Sequence, residues 1–463
     1  MQSFKARPLP TLLVLCAIYP SVAEVCAADE PAWKAGVASV KITPHKPMWM
    51  AGYAARDKPA EGTTQELFAK ALAFEDGEGA RVVIVTLDLI GITRDLRQAL
   101  EQRIEAEHNL APHALLLNAS HTHCGPELRT GKADVYRLEP EYVAQIREYV
   151  KWLQDRIVLV VGNALQQLRP ARFSYSHGRA GISMNRRLLT PEGVRNSPNP
   201  DGPVDQSVPV LRVEDKDGAL VAVLFGYACH NTTLGFYQFC GDYAGYAQEY
   251  LEAAHPGTTA LFLMGCGGDQ NPYPRSTLEL AQQHGRALAN AVEAALQWQQ
   301  PRPISGPLRS SLEEVTLQFA APPTGDELKE LLEKGNRFER RRAEILLETL
   351  DTHGRINDEY PYPIQVVQFG GDLTLVALAG EVVVDYSLRL KKELTGPLVW
   401  IAGYSNDVFG YVPSLRVLKE GGYEGGGAMR YTTLPGPFAP SVEERIIDAV
   451  HELAKTTNPN TAP

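Results

Sequence analysis

Reactive side chains in this 463-residue chain recur just after short apolar runs. Ser120-His121-Thr122-His123-Cys124-Gly125-Pro126 follows the run Ala114 to Ala119. If that run is a strand that continues, side chains alternate with period two, and His121 and His123 share a face. Two imidazoles on one face can both reach one metal ion, or one can bind it while the other works as acid or base. A buried, hydrogen-bonded pair is the other reading. His230 follows a second apolar run that ends at Ala228, and alone it reads more readily as a structural histidine. Glu381 closes the nearly apolar stretch Leu373 to Gly380. An unpaired carboxylate is costly to bury there, so it calls for a cation. Gly380 lets the backbone approach closely. Tyr411 lies beyond Val399 to Ile401, and on chemistry alone a packed tyrosine is the simpler reading. Gly265 to Pro272, rich in glycine, follows Leu261 to Met264. Such a turn either offers backbone N–H groups to a developing oxyanion or is simply a tight turn. It lacks the Gly-Lys-Ser/Thr of a phosphate loop and the Gly-x-Ser-x-Gly of a serine-hydrolase elbow.

The elements around these loops read as mixed α and β. Arg81 to Asp88 and Ala114 to Ala119 are β-branched or leucine-rich runs typical of buried strands. The charged, periodic segment Thr93 to His108 between them makes a strand–helix–strand unit with parallel strands. A long amphipathic helix is expected from about Glu141 to Leu168. Ser207 to Val213 and Ala219 to Ala228 form a hairpin through Lys216-Asp217-Gly218. A second hairpin joins Ile364 to Phe369 with Leu373 to Ala379. Helices are expected at Tyr243 to Ala254, Leu278 to Trp298 and Val442 to Ala454, and strands at Ala260 to Met264, Glu314 to Phe319 and Leu398 to Ala402. Residues 326–352 are highly charged and read as a surface helical hairpin. The fold class is α/β, with layered mixed β-sheets flanked by helices, and strand ends are where such folds collect ligands.

Composition narrows the function. The chain is 44% hydrophobic and 22% charged, with a net charge of -10 and no basic run, which argues against nucleic acid. Lys5 and Arg7, the apolar Leu9 to Ala23 and the small residues before Asp29 follow the order of a secretory signal. Residues 1–28 are therefore expected to be a signal peptide, and the remainder to be secreted or periplasmic. Pro20 and the shortness of the run argue against a membrane anchor. Cys124, Cys229, Cys240 and Cys266 remain, too few for a disulfide scaffold but enough for one or two bridges, such as Cys229–Cys240.

The chain resembles the neutral/alkaline non-lysosomal ceramidase family. The resemblance runs through Gly36 to Pro44, Met50 to Tyr53, Ser120 to Pro126, Met184-Asn185-Arg186 and His230. It continues through Gly241 to Ala247, Gly268-Asp269 with Pro272, Gly380-Glu381, Ser405-Asn406, Tyr411 and Tyr423 to Gly426. It implies a single catalytic domain over residues 29–463, without the family's C-terminal sandwich-like domain. It also implies one zinc ion held by His121, His230, Glu381 and Tyr411. His123 would lie beside a metal-activated water, and Tyr411 or His123 would support the tetrahedral intermediate or protonate the leaving amine. Arg186 would contact substrate, as would Gly268 and Asp269 on the glycine-rich turn. Asn271 stands where the family has an active-site serine. Its amide could bind an oxyanion but cannot act as an alkoxide nucleophile.

The resemblance thus implies an exported zinc amidohydrolase acting on an N-acylated lipid, ceramide-like, or a related N-acyl compound. Asn271 and the shorter chain keep two alternatives open: a zinc hydrolase of an ester or other non-lipid substrate, and a noncatalytic binding member of the family. The expected partner is a small-molecule or lipid substrate, with peripheral membrane contact and oligomeric state left open.

Overall fold

The computed structural model describes residues 33–396 and 398–457, so the expected signal peptide lies outside the described residues. A large sheet carries, in spatial order, Thr259–Met264, Leu220–Tyr227, Ser207–Asp215, Arg169–Arg179, Trp33–Lys41, Phe68–Glu75, Arg81–Leu87 and Leu115–Ala119. Only the outermost pair at each end is parallel; the inner pairs are antiparallel. A second sheet carries Leu308–Gln318, Glu359–Phe369, Leu373–Leu378 and Val399–Ala402. Residues of both sheets, among them Trp33, Phe74, Leu261, Phe369 and Trp400, share one core. Helices Arg94–His108 and Pro140–Gln166 pack through Leu100, Ile104, Ile157 and Val161 on the large sheet, and Val442–Thr457 packs on the second. The architecture is layered α/β with mixed sheets flanked by helices, which the alternating pattern of runs indicates.

Local signals explain why the strand–helix–strand unit forms. In Arg81–Leu87 every residue after Arg81 is buried, which suits a β-branched strand covered on both faces. The helix that follows is capped by Thr93, whose hydroxyl accepts from the Leu96 N–H, and is ended by Asn109 in the left-handed region. Leu115–Ala119 then pairs parallel to Arg81–Leu87.

Several strands lack a sequence signature. Trp33–Lys41, Phe68–Glu75, Arg169–Arg179 and Ser183–Thr190 are strands without the β-branched runs seen elsewhere. They carry alanines, lysines and arginines, and their pairing is decided by neighbouring strands rather than by propensity. The strand expected from Glu314 begins at Leu308, because it is paired along its whole length with Glu359–Phe369.

The charged segment folds as two helices, Gly325–Lys334 and Arg337–His353. Each opens with a capping box, Thr324 with Glu327 and Asn336 with Glu339. The second helix braces neighbouring loops. Arg342 donates to the carbonyls of Leu434 and Pro435, and Phe338 packs against Tyr136 and Tyr431 at 5.5 and 5.0 Å between ring centroids. Neither Cys229–Cys240 nor any other pairing among the four candidates forms: Cys124, Cys229, Cys240 and Cys266 are all free and buried.

One polar side chain gathers the strand ends. Buried Asn118 accepts from the Met264 N–H at 2.8 Å and donates to the Gly403 carbonyl at 2.7 Å. It thereby clasps the two edges of the large sheet to the loop after Val399–Ala402. Leaving such an amide unpaired in the interior would cost about 1–3 kcal/mol, so the clasp resists opening.

Candidate metal centre and its cavity

His121, His230, Glu381 and Tyr411 arrive from four separate loops. The turn after Leu115–Ala119 puts His121 in the left-handed region at φ 62°. This replaces the strand continuation expected for His121 and His123, so alternation is not what brings the two rings together. They meet through the turn, with Nε2 to Nε2 3.2 Å apart. Tyr404 and Asn406 also have positive φ, at 50° and 61°, where the chain turns after Val399–Ala402. Non-glycine residues pay of order 1–3 kcal/mol for strained conformations of this kind, which persist where the surrounding fold enforces them.

Glu381 and Tyr411 are set by a short parallel bridge, Glu381–Val382 against Tyr411–Val412. The Glu381 Oε2 lies 3.2 Å from His121 Nε2 and 3.3 Å from His230 Nε2. The Tyr411 hydroxyl lies 3.2 Å from His230 Nε2. The far ring nitrogens are already committed: His121 Nδ1–H donates to the Ile90 carbonyl and His230 Nδ1–H to the Gly267 carbonyl, each at 2.6 Å. These bonds fix the tautomer that leaves both Nε2 atoms as bare lone pairs. Two such nitrogens facing a carboxylate oxygen repel one another unless a cation sits among them. The donor set therefore fits a divalent metal such as zinc. His121, His123 and His230 offer nitrogens within 4.8 Å of one another, so three imidazoles could also share an ion.

Burial and the neighbouring charges move the titrating groups of the cluster in opposite directions. Burial holds His123 well below its ordinary value, helped by His121 and His230. Burial, and then Arg186, pushes His230 down to about 4. Burial alone would raise Glu381, but His121 and His230 outweigh it and hold the carboxyl well below the usual range. Burial raises the Tyr411 phenol well above its usual value, opposed by Arg186.

His123 adjoins this set through its Nε2 and is anchored on its other side. Its carbonyl accepts from Arg56, its Nδ1 is buried without a partner, and its ring packs against Tyr53 at 4.7 Å. Gly52 makes room for it: with φ +100°, a Cβ there would lie 2.5 Å from the His123 ring.

The remaining candidate site residues lie behind Tyr411 and beneath Glu381. Arg186 is buried behind Tyr411 rather than in the cavity beside the histidines. It donates to the Tyr411 hydroxyl at 3.0 Å, to Glu424 at 2.8 Å and to the Asn271 side-chain carbonyl at 3.2 Å. Asn271 also accepts from the Thr232 hydroxyl at 3.3 Å, so its amide oxygen is engaged within the protein. Gly268 donates its N–H to the Val382 carbonyl, and Gly267 and Gln270 spend theirs inside the same turn. A Cβ on Gly268 would lie 2.6 Å from the Glu381 carbonyl, so this glycine lets the turn pass beneath the Glu381 bridge. Asp269 is wholly buried and accepts from the Val384 N–H and from Asn185 at 2.8 and 3.0 Å. The turn supports Glu381, and the internal bonds of its Gly267, Gly268 and Gln270 N–H groups fit the tight-turn reading of the two.

A cavity of about 190 Å³ opens beside the cluster, lined by His121, His123, Glu381 and Tyr411. Its outer wall carries Arg129, Lys132, Tyr136, Tyr423 and Tyr431, to which the sequence reading assigned no role. Tyr423 falls in the motif Tyr423 to Gly426, and Arg129 and Lys132 follow closely on the His121 loop.

Residues 33–284 match the family described as neutral/alkaline non-lysosomal ceramidase, N-terminal. The chain belongs to this family. It is 27% identical over 274 residues to neutral ceramidase A of Dictyostelium discoideum, a match covering 54% of this chain and 37% of that protein. It is 24% identical over 239 residues to the neutral ceramidase of Drosophila pseudoobscura pseudoobscura, covering 49% of this chain and 33% of that one. The matched region thus spans about a third of these ceramidases' own length. The crystal structure of neutral ceramidase from Pseudomonas aeruginosa shares the fold, with a TM-score of 0.72 at 20% identity over 92% of this chain and 74% of that one. A ceramidase complexed with C2 matches with the same TM-score at 21% identity, over 92% of this chain and 75% of that one.

Proposed function

We propose that this chain is a zinc-dependent hydrolase that cleaves an amide bond in an N-acylated substrate. The observation that carries the reading is the convergence of His121 Nε2, His230 Nε2, Glu381 Oε2 and the Tyr411 hydroxyl, with both far imidazole nitrogens locked on backbone carbonyls. Membership of a family whose named relatives are ceramidases supports the amide as the bond cleaved. These four side chains would hold the metal, which when bound supplies Lewis-acid polarisation of a carbonyl and acidifies water.

The protein's own groups would do the rest. His123, whose Nε2 lies 3.2 Å from the His121 Nε2, takes a proton from water at that nitrogen and returns it to the leaving amine. The Tyr411 hydroxyl, steadied by Arg186, donates to the oxygen of the tetrahedral intermediate. Tyr53 and Gly52 hold the His123 ring at the cavity wall. The signal-like order of Lys5 to Ala28 supports export of the mature chain.

A second reading, cleavage of an ester, is favoured by Asn271, because no hydroxyl stands at that position. Purified protein is expected to contain about one zinc per chain and to release amine from N-acyl substrates, with loss on chelation and recovery with zinc. Ester cleavage without amide cleavage would select the second reading. No turnover of either class would leave a binding protein and overturn both.

A further inference from the structure

Lys34, Lys41, Lys70 and Lys391 each hold an acidic partner at 2.6–2.8 Å. Lys132 does not: among the described residues no carboxylate lies within ion-pair distance of its ammonium. It lies instead over the Tyr136 and Tyr431 rings, 5.9 and 5.8 Å from their centroids. Its neighbour Arg129 gives no relief, being a second cation whose Nε and Nη2 are bound to the two oxygens of buried Glu127 at 2.7 and 2.8 Å. Burial, and then Arg129, pushes the Lys132 ammonium down to about 7. A half-buried amine beside a guanidinium, with Glu127 and Glu381 acting on it only from beyond ion-pair distance, is a site that gains by receiving an anion.

Its location relates that need to the reaction. Arg129 and Lys132 line both the 190 Å³ cavity beside the histidines and a further cavity of about 260 Å³, so they stand on a shared wall. A substrate whose scissile bond lies at His121 and Glu381 would bring its far end to that wall. The inner cavity is smaller than the roughly 300–1,000 Å³ of pockets that enclose drug-sized ligands. That volume suits a compact acyl compound better than two long chains.

We propose that Lys132 binds an anionic terminus of the substrate, so that the site takes a small N-acyl compound bearing a carboxylate or phosphate. This rests on the hydrolase reading above and names its substrate class.

The test separates the two. Levulinate is a non-cleavable ketone isostere of N-acetylglycine; levulinamide is its uncharged counterpart, and the corresponding oxobutylphosphonate carries the phosphate-like charge. Calorimetry on the zinc-loaded full chain is expected to find at least one of the two anions binding about tenfold or more tighter than levulinamide. Which anion leads distinguishes a carboxylate from a phosphate terminus. Lys132→Met should bring the difference within about twofold and Lys132→Arg should keep it, since either cation can pair with an anion. Equal binding of charged and uncharged probes overturns the proposal. So does a preference that survives in Lys132→Met, which would put the anion on the metal or elsewhere. Absence of saturable binding by either anion overturns it as well. Turnover of N-acetylglycine is scored separately. Charge-selective binding without turnover would sink the hydrolase reading alone, and turnover without charge preference would sink this one alone.

Discussion

Glu381 and Tyr411 stand directly opposite each other across a two-residue parallel bridge, and the Glu381 N–H donates to the Gly410 carbonyl at 2.8 Å. A carboxylate and a phenol thirty positions apart are thus fixed side by side by backbone register, and His230 touches both.

This arrangement separates ligands from their neighbour. His121→Ala and Glu381→Ala are each expected to lower bound zinc from about one per chain to below about a fifth. His123→Ala should keep the metal while lowering kcat by about 10²–10⁴-fold, the range for a lost general acid–base. Metal content by mass spectrometry beside steady-state rates checks both. Zinc lost in His123→Ala would make all three imidazoles ligands.

Gly52→Ala should lower activity without changing metal content. The added methyl would lie 2.5 Å from the His123 ring, at a backbone φ of +100° that favours glycine. Overpacking costs about 1–3 kcal/mol, so a small fall in melting temperature should accompany a kcat loss of about tenfold or more. An unchanged kcat would show that the His123 position is not critical.

Arg186 should behave as a positioning residue. Arg186→Met leaves buried Glu424 with Arg187 alone and frees the Tyr411 hydroxyl. Breaking a buried pair of this kind costs about 3–5 kcal/mol when the remaining charge is uncompensated, and somewhat less here because Arg187 stays. Denaturant unfolding should report that loss, and kcat should fall more than KM rises. A rise in KM alone would restore the direct substrate contact expected of it.

Asp269 predicts a pH dependence of stability. Burial raises its carboxyl from 3.8 to about 6, opposed by the Val384 N–H. Between those values the folded chain binds the proton more tightly than the unfolded chain. The stabilisation is complete below the unfolded value and is lost as pH rises through about 6. Relative to Asp269→Asn, the wild type should lose up to about 3 kcal/mol of unfolding free energy between pH 4 and pH 7. Parallel curves for the two proteins would remove Asp269 as the cause.

Much of the fold is legible in short windows because burial on both faces demands apolar runs. Arg81–Leu87, Leu115–Ala119 and Thr259–Met264 declare themselves in this way. Trp33–Lys41 and Arg169–Arg179 do not, because their order comes from strands paired on either side. At the candidate site, strand alternation pairs His121 with His123 on a geometry that the fold does not keep. The strand stops at Ala119, and a left-handed turn brings the rings together instead. Arg186 and Asn271 carried a motif but no direction, and the fold sets them behind Tyr411.

Taken by itself, the sequence determined which donor atoms exist and that they follow apolar strands, since both properties are local to a few residues. Only the tertiary structure decided that Glu381 meets Tyr411 in register, that both Nε2 atoms are left bare, and that among the described residues no carboxylate lies within ion-pair distance of Lys132. Those facts depend on contacts between residues far apart in the chain. The strand ends that carry these residues are gathered by the Asn118 clasp and by turns whose positive φ no single window of sequence specifies.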